Sequence, residues 1–175
     1  KTAGILVQEK EMCMKKGEIY EGRVQEVLFP DKAIVVTDEG ETAQVKYGIP
    51  GQKLRFRVKK KRKEKIEGIL LEVLEKSADE TACLCEWAGK CGGCLYQTLP
   101  YEKQLAIKEA QIKKMLDNGG TDYTFEGIVS SPVVSGYRNK VELTFGDSYM
   151  GGPLALGMHQ RGSFYDIAGI ETCQI

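Results

Sequence analysis

Four cysteine residues of this chain have the types and spacing of a metal centre. Cys85, Cys91 and Cys94 lie in the run Cys-Glu-Trp-Ala-Gly-Lys-Cys-Gly-Gly-Cys, and Cys173 lies near the end of the sequence. Because five residues separate the first pair and two the second, three thiolates can face one soft metal centre. Cys173 would complete the four-cysteine ligand set of an iron–sulfur cluster. We expect the paired glycines to permit a tight turn that directs the flanking sulfurs inward.

The choice of metal stays open on these residues. Thiolates bind zinc as well as iron, and zinc sites more often use two pairs with two to four residues within each pair. The five-then-two spacing with one remote partner departs from that pattern. The spacing therefore favours an iron–sulfur cluster over zinc, and uncoordinated thiols are the third interpretation. We interpret Cys83 as a bystander thiol and Cys13 as a surface thiol.

Composition restricts the class of protein. With 175 residues, 42% hydrophobic and 29% charged, the sequence is typical of a globular protein of one or two small domains. No apolar stretch approaches the roughly 18–20 residues of a membrane span. The apolar run near the start of the sequence is too short for a secretory signal. The six cysteines could instead form three disulfides. However, four of the cysteines lie within twelve residues, and such clustering is more typical of metal binding in a reducing cytosol. We expect a cytoplasmic protein.

Basic residues are concentrated in one short segment although the net charge is zero. Between Lys53 and Lys65, nine of thirteen positions are Lys or Arg, and only Glu64 is acidic. The alternation of basic and apolar residues from position 54 predicts a strand with one basic face. A solvated face is the ordinary interpretation of a charge run, but this density favours phosphate binding. The predicted RNA contacts on this strand are Arg55, Arg57, Lys59 and Lys61.

Two later segments combine rings, cations and amides. The run Tyr-Arg-Asn-Lys at residues 137–140 can stack on a base, pair with phosphate and hydrogen-bond a base edge, but a turn entering a strand explains it equally well. The run His-Gln-Arg at residues 159–161 allows the same two interpretations. The predicted RNA contacts in these segments are Arg138, Lys140 and Arg161.

Short strands divided by turns dominate residues 14–75. Five strands in about sixty residues indicate a small closed β barrel of the oligonucleotide-binding (OB) type. A connector at residues 76–84 leads to the cysteine cluster, and Pro100 to Asp117 is predicted as a helix. The apolar face of that helix is predicted to contain Tyr101, Leu105, Ile112, Met115 and Leu116. The predicted strands are residues 18–28, 33–36, 42–47, 54–59, 66–74, 125–129, 140–146, 154–159 and 164–170.

Together these features resemble the RNA (uracil-carbon-5) methyltransferases that carry an N-terminal TRAM domain and a 4Fe–4S cluster. The matching segments are the cysteine run followed by Leu-Tyr-Gln, Gly-Tyr-Arg-Asn-Lys at 136–140, Gly-Met-His-Gln-Arg-Gly-Ser-Phe at 157–164, and Ile-Glu-Thr-Cys at 170–173. The resemblance covers about residues 14–175. It implies an OB-like TRAM barrel at 14–75 that binds RNA, followed by a small α+β domain at 83–175. In that domain Cys85, Cys91, Cys94 and Cys173 would hold the cluster.

The same resemblance implies a reaction that this chain does not complete. In the family, a cysteine attacks carbon 6 of uracil, carbon 5 takes the methyl group of S-adenosylmethionine, and a base removes the carbon-5 proton. These steps belong to a C-terminal domain that is absent from these residues, so we assign no catalytic residue and expect the chain alone to be inactive. The implied partner is RNA, ribosomal (23S) rather than transfer RNA, with no membrane and no obligate protein partner. The rival interpretation is a stand-alone RNA-binding module with a structural zinc or iron–sulfur site.

Overall fold

The computed structural model of the chain describes residues 14–62, 65–120 and 122–175. They form two compact units, one of residues 14–27 and 32–76 and one of residues 28–31 and 77–175. Cys13 and residues 63–64 of the basic segment lie outside the described residues. Within the described ranges, no helix is both long enough and apolar enough to cross a membrane.

The first unit is a ring of five strands that closes into a barrel. The order around the barrel is β1-β2-β3-β5-β4. The pairs β1–β4, β2–β3 and β4–β5 are antiparallel, whereas β3 and β5 run parallel. All five strands predicted for this part of the sequence are present, because their apolar residues alternate and turn residues separate them. The strands are β1 (Ile19–Leu28), β2 (Lys32–Val36), β3 (Thr42–Lys46), β4 (Lys53–Arg62) and β5 (Lys65–Glu75).

Alternating apolar side chains fill the interior of the barrel. Leu54 and Phe56 of β4 are both 0% exposed. Opposite them, a Cβ atom added at Gly68 of β5 would lie 2.7 Å from Cδ2 of Phe56, so the ring occupies the space that a side chain at Gly68 would need. The period of two in β4 thus places the apolar residues inside and directs Arg55 and Arg57 outward.

The second unit contains one helix and a small antiparallel sheet. The elements are α1 (Tyr101–Asn118), β6 (Thr144–Asp147), β7 (Leu154–His159) and β8 (Ile167–Ala168), and the strand order is β6-β7-β8. β7 forms at the predicted residues, and both residues of β8 are buried. A Cβ atom at Gly157 would clash with the carbonyl of Ala168, so glycine is needed where β7 passes the end of β8.

Three strand predictions for this unit differ from the structure. The strand predicted at 125–129 is wrong, because this described segment pairs with no strand, Gly127 adopts a φ of 111° and Val129 is 96% exposed. The strands predicted at 140–146 and 164–170 form only over their paired parts, in β6 and β8. Apolar residues alone do not make a strand where no neighbouring strand offers hydrogen bonds.

Helix α1 packs through a polar residue. Gln111 is buried, and its Nε2 donates a hydrogen bond of 3.3 Å to the hydroxyl of Tyr96, whose ring is also buried. The predicted apolar face is wrong at Ile112 and Met115, which are both exposed. Tyr96, which packs against the helix, presents a hydroxyl group as well as a ring. The buried residue of the helix is therefore Gln111, whose side-chain amide can donate to that hydroxyl.

The barrel core generates a stability prediction. Replacing Phe56 with alanine should lower the free energy of unfolding by about 3–5 kcal/mol, because a large ring is lost from a closed interior. Replacing Ile69, which is 47% exposed on the same barrel, should change it by about 0.5 kcal/mol or less. Urea unfolding followed by circular dichroism measures both, and equal losses would contradict this packing.

Candidate metal centre

Four thiols line one cavity of the second unit. Cys85, Cys91 and Cys94 come from the loop before α1, and Cys173 comes from the last residues of the chain. Cys173 is exposed, and the other three are partly buried. None of the five described cysteines forms a disulfide. The structure therefore brings the four predicted ligands to one place.

The four thiols share a cavity without forming a closed ligand shell. Among residues 14–62, 65–120 and 122–175, no three His, Cys, Asp or Glu side chains are grouped tightly enough to bind a metal ion. Four sulfurs around one Zn²⁺ would lie roughly 4 Å from one another, since each Zn–S bond is about 2.3 Å. The described thiols line one cavity, but they do not form such a closed shell.

The cysteine loop (residues 85–94) is held against the end of β7 by hydrogen bonds. The amide of Gly92 donates to the carbonyl of His159 at 2.9 Å, and the amide of Arg161 donates to the carbonyl of Lys90 at 2.6 Å. The guanidinium Nη2 of Arg161 donates to the carbonyl of Cys94 at 2.5 Å. The loop thus forms a bridge from Cys91 to Gln160, just after β7, and Arg161 binds it at Lys90 and at Cys94.

The paired glycines Gly92 and Gly93 lie in a turn, as the sequence predicts. A Cβ atom at Gly92 would lie 3.0 Å from the carbonyl oxygen of His159, so the absence of a side chain permits the close approach to β7. The positive φ of the loop, 85°, is found at Gly89. The amide of Gly93 points at Cys91 and donates to its Sγ at 3.4 Å. The glycine pair thus forms the predicted turn, and at Gly92 the missing side chain also permits the close approach to β7.

The thiols influence one another electrostatically. Burial raises the pKa of the Cys94 thiol above its ordinary value, and the charges of Cys91, Cys173 and Cys85 raise it further. The guanidinium of Arg138, which lines the same cavity, acts in the opposite direction and lowers that pKa. A bound cationic group would likewise favour the thiolate form, because it would offset the mutual repulsion of the sulfurs.

The sequence prediction missed several residues around the cavity. The cavity is also lined by Trp87, Gln97 and Met158. None of these three is among the predicted site residues. Trp87 lies inside the cysteine run, which is the signal that could have found it. Cys83 is not among the lining residues, and its Sγ contacts the Oε1 of Gln97 at 3.4 Å.

The basic strand β4 is less free than its sequence indicates. Arg55 donates from Nη2 to Oε1 of Glu21 at 2.8 Å and from Nη1 to Oε2 of Glu72 at 2.7 Å. The hydrogen bond from Arg55 is the main reason that the pKa of Glu21 is lowered. The acidic partners of Arg55 lie on the neighbouring strands β1 and β5. Counting charges along β4 alone therefore overlooks them.

A register shift in β4 divides the predicted row of cations. Arg57 and Lys59 are exposed. The pairing of β4 with β5 slips between Val58 and Lys60, and beyond that slip Lys61 lies opposite the buried Ile66. The expectation that Arg55, Arg57, Lys59 and Lys61 project from one face therefore fails at Lys61, because the extra residue between Val58 and Lys60 shifts the alternation by one.

The remaining predicted RNA contacts lie in the second unit. Arg138 and Lys140 are exposed and line a second cavity together with His159. Nζ of Lys140 lies 2.7 Å from Oε1 of Glu142. The guanidinium of Arg161 donates to the carbonyl of Cys94 in the cysteine loop. This hydrogen bond within the protein gives Arg161 a structural role.

Curated proteins similar to this chain are named RNA methyltransferases. A protein of Clostridium tetani is 42% identical over 165 residues, which are 94% of this chain and 36% of that protein. A protein of Caldanaerobacter subterraneus is 44% identical over 163 residues, 93% of this chain and 36% of that protein. Both names are "Uncharacterized RNA methyltransferase". The chain thus spans about a third of the length of the relatives it matches. No protein-family model matches the chain.

A solved structure shares the fold. It is the Pyrococcus abyssi tRNA (uracil-54, C5)-methyltransferase in complex with S-adenosyl-L-homocysteine, with a TM-score of 0.55 and 22% sequence identity. The match covers 89% of this chain and 32% of that protein. At this level of identity, the likeness concerns the fold.

The contacts of Arg161 predict its effect on metal binding. In Arg161→Met, Cys94 loses the hydrogen bond at its carbonyl, so the affinity of the metal-free protein for Co²⁺ should fall by about 10- to 100-fold. Thiolate-to-cobalt charge-transfer absorbance under argon measures this affinity. Lys140→Met, which removes the same charge from a side chain that is 77% exposed, should leave it unchanged. Equal affinities in the two variants would contradict a positioning role for Arg161.

Proposed function

We propose that this chain is the RNA-binding and iron–sulfur part of an S-adenosylmethionine-dependent RNA (uracil-C5)-methyltransferase. The observation that carries the proposal is the identity of 42% and 44%, over more than nine-tenths of this chain, to proteins named RNA methyltransferases. The solved fold neighbour, a tRNA (uracil-54, C5)-methyltransferase, supports uracil carbon 5 as the methylated atom. We favour ribosomal (23S) RNA over transfer RNA as the substrate.

The barrel at residues 14–75 is the proposed TRAM domain, an OB-like module for RNA. Its exposed cations offer phosphate contacts, and we assign these to Arg57 and Lys59 first. Arg55 is a weaker candidate, because two carboxylates already bind its guanidinium. Arg138 and Lys140 are the proposed contacts of the domain at residues 83–175.

The cavity in that domain is the proposed site of a 4Fe–4S cluster held by Cys85, Cys91, Cys94 and Cys173. A donor set of four thiols fits such a cluster, because four cysteine thiolates are its usual ligands. When bound, the cluster would supply a cross-link between the loop before α1 and the C-terminal segment. Joining Cys94 to Cys173 restricts the unfolded chain by roughly 4 kcal/mol on the loop-entropy scale.

The chain's own residues bind and position, and we assign no catalytic residue to them. The proposed methyl transfer uses S-adenosylmethionine and a cysteine nucleophile from the part of the relatives that lies outside this match. Under this proposal the chain holds RNA through the cations named above and shapes its second unit around the cluster. Full ligation by cysteine leaves no iron open to substrate.

Iron retention tests the cluster proposal. Protein purified without oxygen should contain iron and sulfide in equal amounts, and a serine at Cys85, Cys91, Cys94 or Cys173 should lower both by at least about half, because each supplies one of four bonds. Cys83→Ser is the matched control and should retain the wild-type content. A colourless protein that contains zinc would support the stand-alone binding module and contradict the cluster.

The salt dependence of RNA binding tests the barrel surface. Replacing Arg57 and Lys59 together with alanine should weaken binding to a single-stranded RNA and reduce the log–log salt slope by about 1.4, because each phosphate contact contributes about 0.7. Arg55→Ala should change the slope less, since that guanidinium is bound to Glu21 and Glu72. Filter binding between 50 and about 200 mM salt measures the slope. An unchanged slope in the double variant would exclude these contacts.

A further inference from the structure

Trp87, the one tryptophan of the chain, lies where it can contact whatever the four thiols bind. It follows Cys85 by two residues and is one of the residues that line the same cavity as the four cysteines. Its carbonyl accepts hydrogen bonds from the amides of Lys90 and Cys91, at 3.0 and 2.9 Å. The turn that brings Cys91 to the cavity therefore also fixes the backbone of Trp87.

The indole N–H of Trp87 finds no acceptor in the part of the chain that the structure describes. Nε1 of Trp87 is buried, and among the described residues it has no hydrogen-bond partner. An indole nitrogen is a donor only, and a buried donor left unpaired costs free energy, so such groups nearly always have a partner in a native protein. Nζ of Lys90 lies over the ring, 5.9 Å from its centroid, within cation–π range.

The occupant of the cavity is the natural acceptor. A neutral thiol accepts hydrogen bonds weakly, whereas thiolates bound to a metal and the sulfides of a cluster carry negative charge and accept them well. We infer that Trp87 donates its indole N–H to a sulfur of the group held by Cys85, Cys91, Cys94 and Cys173. The inference rests on the iron–sulfur proposal above and adds a positioning residue to it.

A donor at this place has two consequences. A hydrogen bond to sulfur stabilises the more negative, reduced form of a cluster and so raises its reduction potential. It also slows the loss of metal, because partners of the ligand sulfurs hold the ligands in place. Trp87→Phe keeps most of the ring volume and removes the N–H, so it separates these effects from simple packing.

The variant experiment uses the whole chain reconstituted with ferrous iron and sulfide under argon. Relative to wild type, Trp87→Phe should assemble the cluster, show a more negative reduction potential and release iron to a chelator about 10-fold faster. Tyr165→Phe is the matched control, because it removes one polar hydrogen from a ring that is 79% exposed and does not line the cavity. An unchanged potential and release rate in Trp87→Phe would overturn the inference.

A second measurement needs no variant. With ¹⁵N-labelled indole, the chain gives one indole N–H resonance, since it has one tryptophan. Reconstitution should shift or broaden that resonance and slow its exchange with deuterated water. An indole signal unchanged in position, width and exchange on a cluster-loaded protein would overturn the role of Trp87 alone. If iron and sulfide fail to bind at all, the iron–sulfur proposal falls, and this inference with it.

Discussion

The attachment of the cysteine loop to the end of β7 is the contact on which the rest of the site depends. The loop approaches the strand closely because Gly92 has no side chain beside the carbonyl of His159. Arg161 then binds the loop through its own amide and through its guanidinium, at Lys90 and Cys94. These contacts place three thiols in one cavity with Cys173 of the C-terminal segment.

The barrel shows how sheet pairing changes the meaning of a charge run. Along β4 the cations alternate with apolar residues, and the fold uses this alternation to bury Phe56 and expose Arg57. Across the sheet, however, Glu21 and Glu72 bind Arg55, and the bulge after Val58 turns later residues onto other faces. The surface available to a polyanion is therefore smaller and more localised than nine basic positions in thirteen indicate.

Sequence reasoning succeeded where the determinants are local. The strands of the first unit and β7 follow from alternation and turn residues, and the cysteine spacing identified residues that line one cavity. It failed where the outcome depends on a partner distant in sequence. No local signal shows that residues 125–129 lack a neighbouring strand, that Gln111 faces the hydroxyl of Tyr96, or that Arg161 binds Cys94 instead of facing outward.

Anomalous diffraction at the iron absorption edge, from crystals of this chain grown without oxygen, tests the central claim most directly. The account predicts a single compact group of iron atoms in the cavity, with the Sγ atoms of Cys85, Cys91, Cys94 and Cys173 each bound to it. A single zinc ion in that cavity, or an iron group from which the sulfur of Cys173 lies apart, would contradict it.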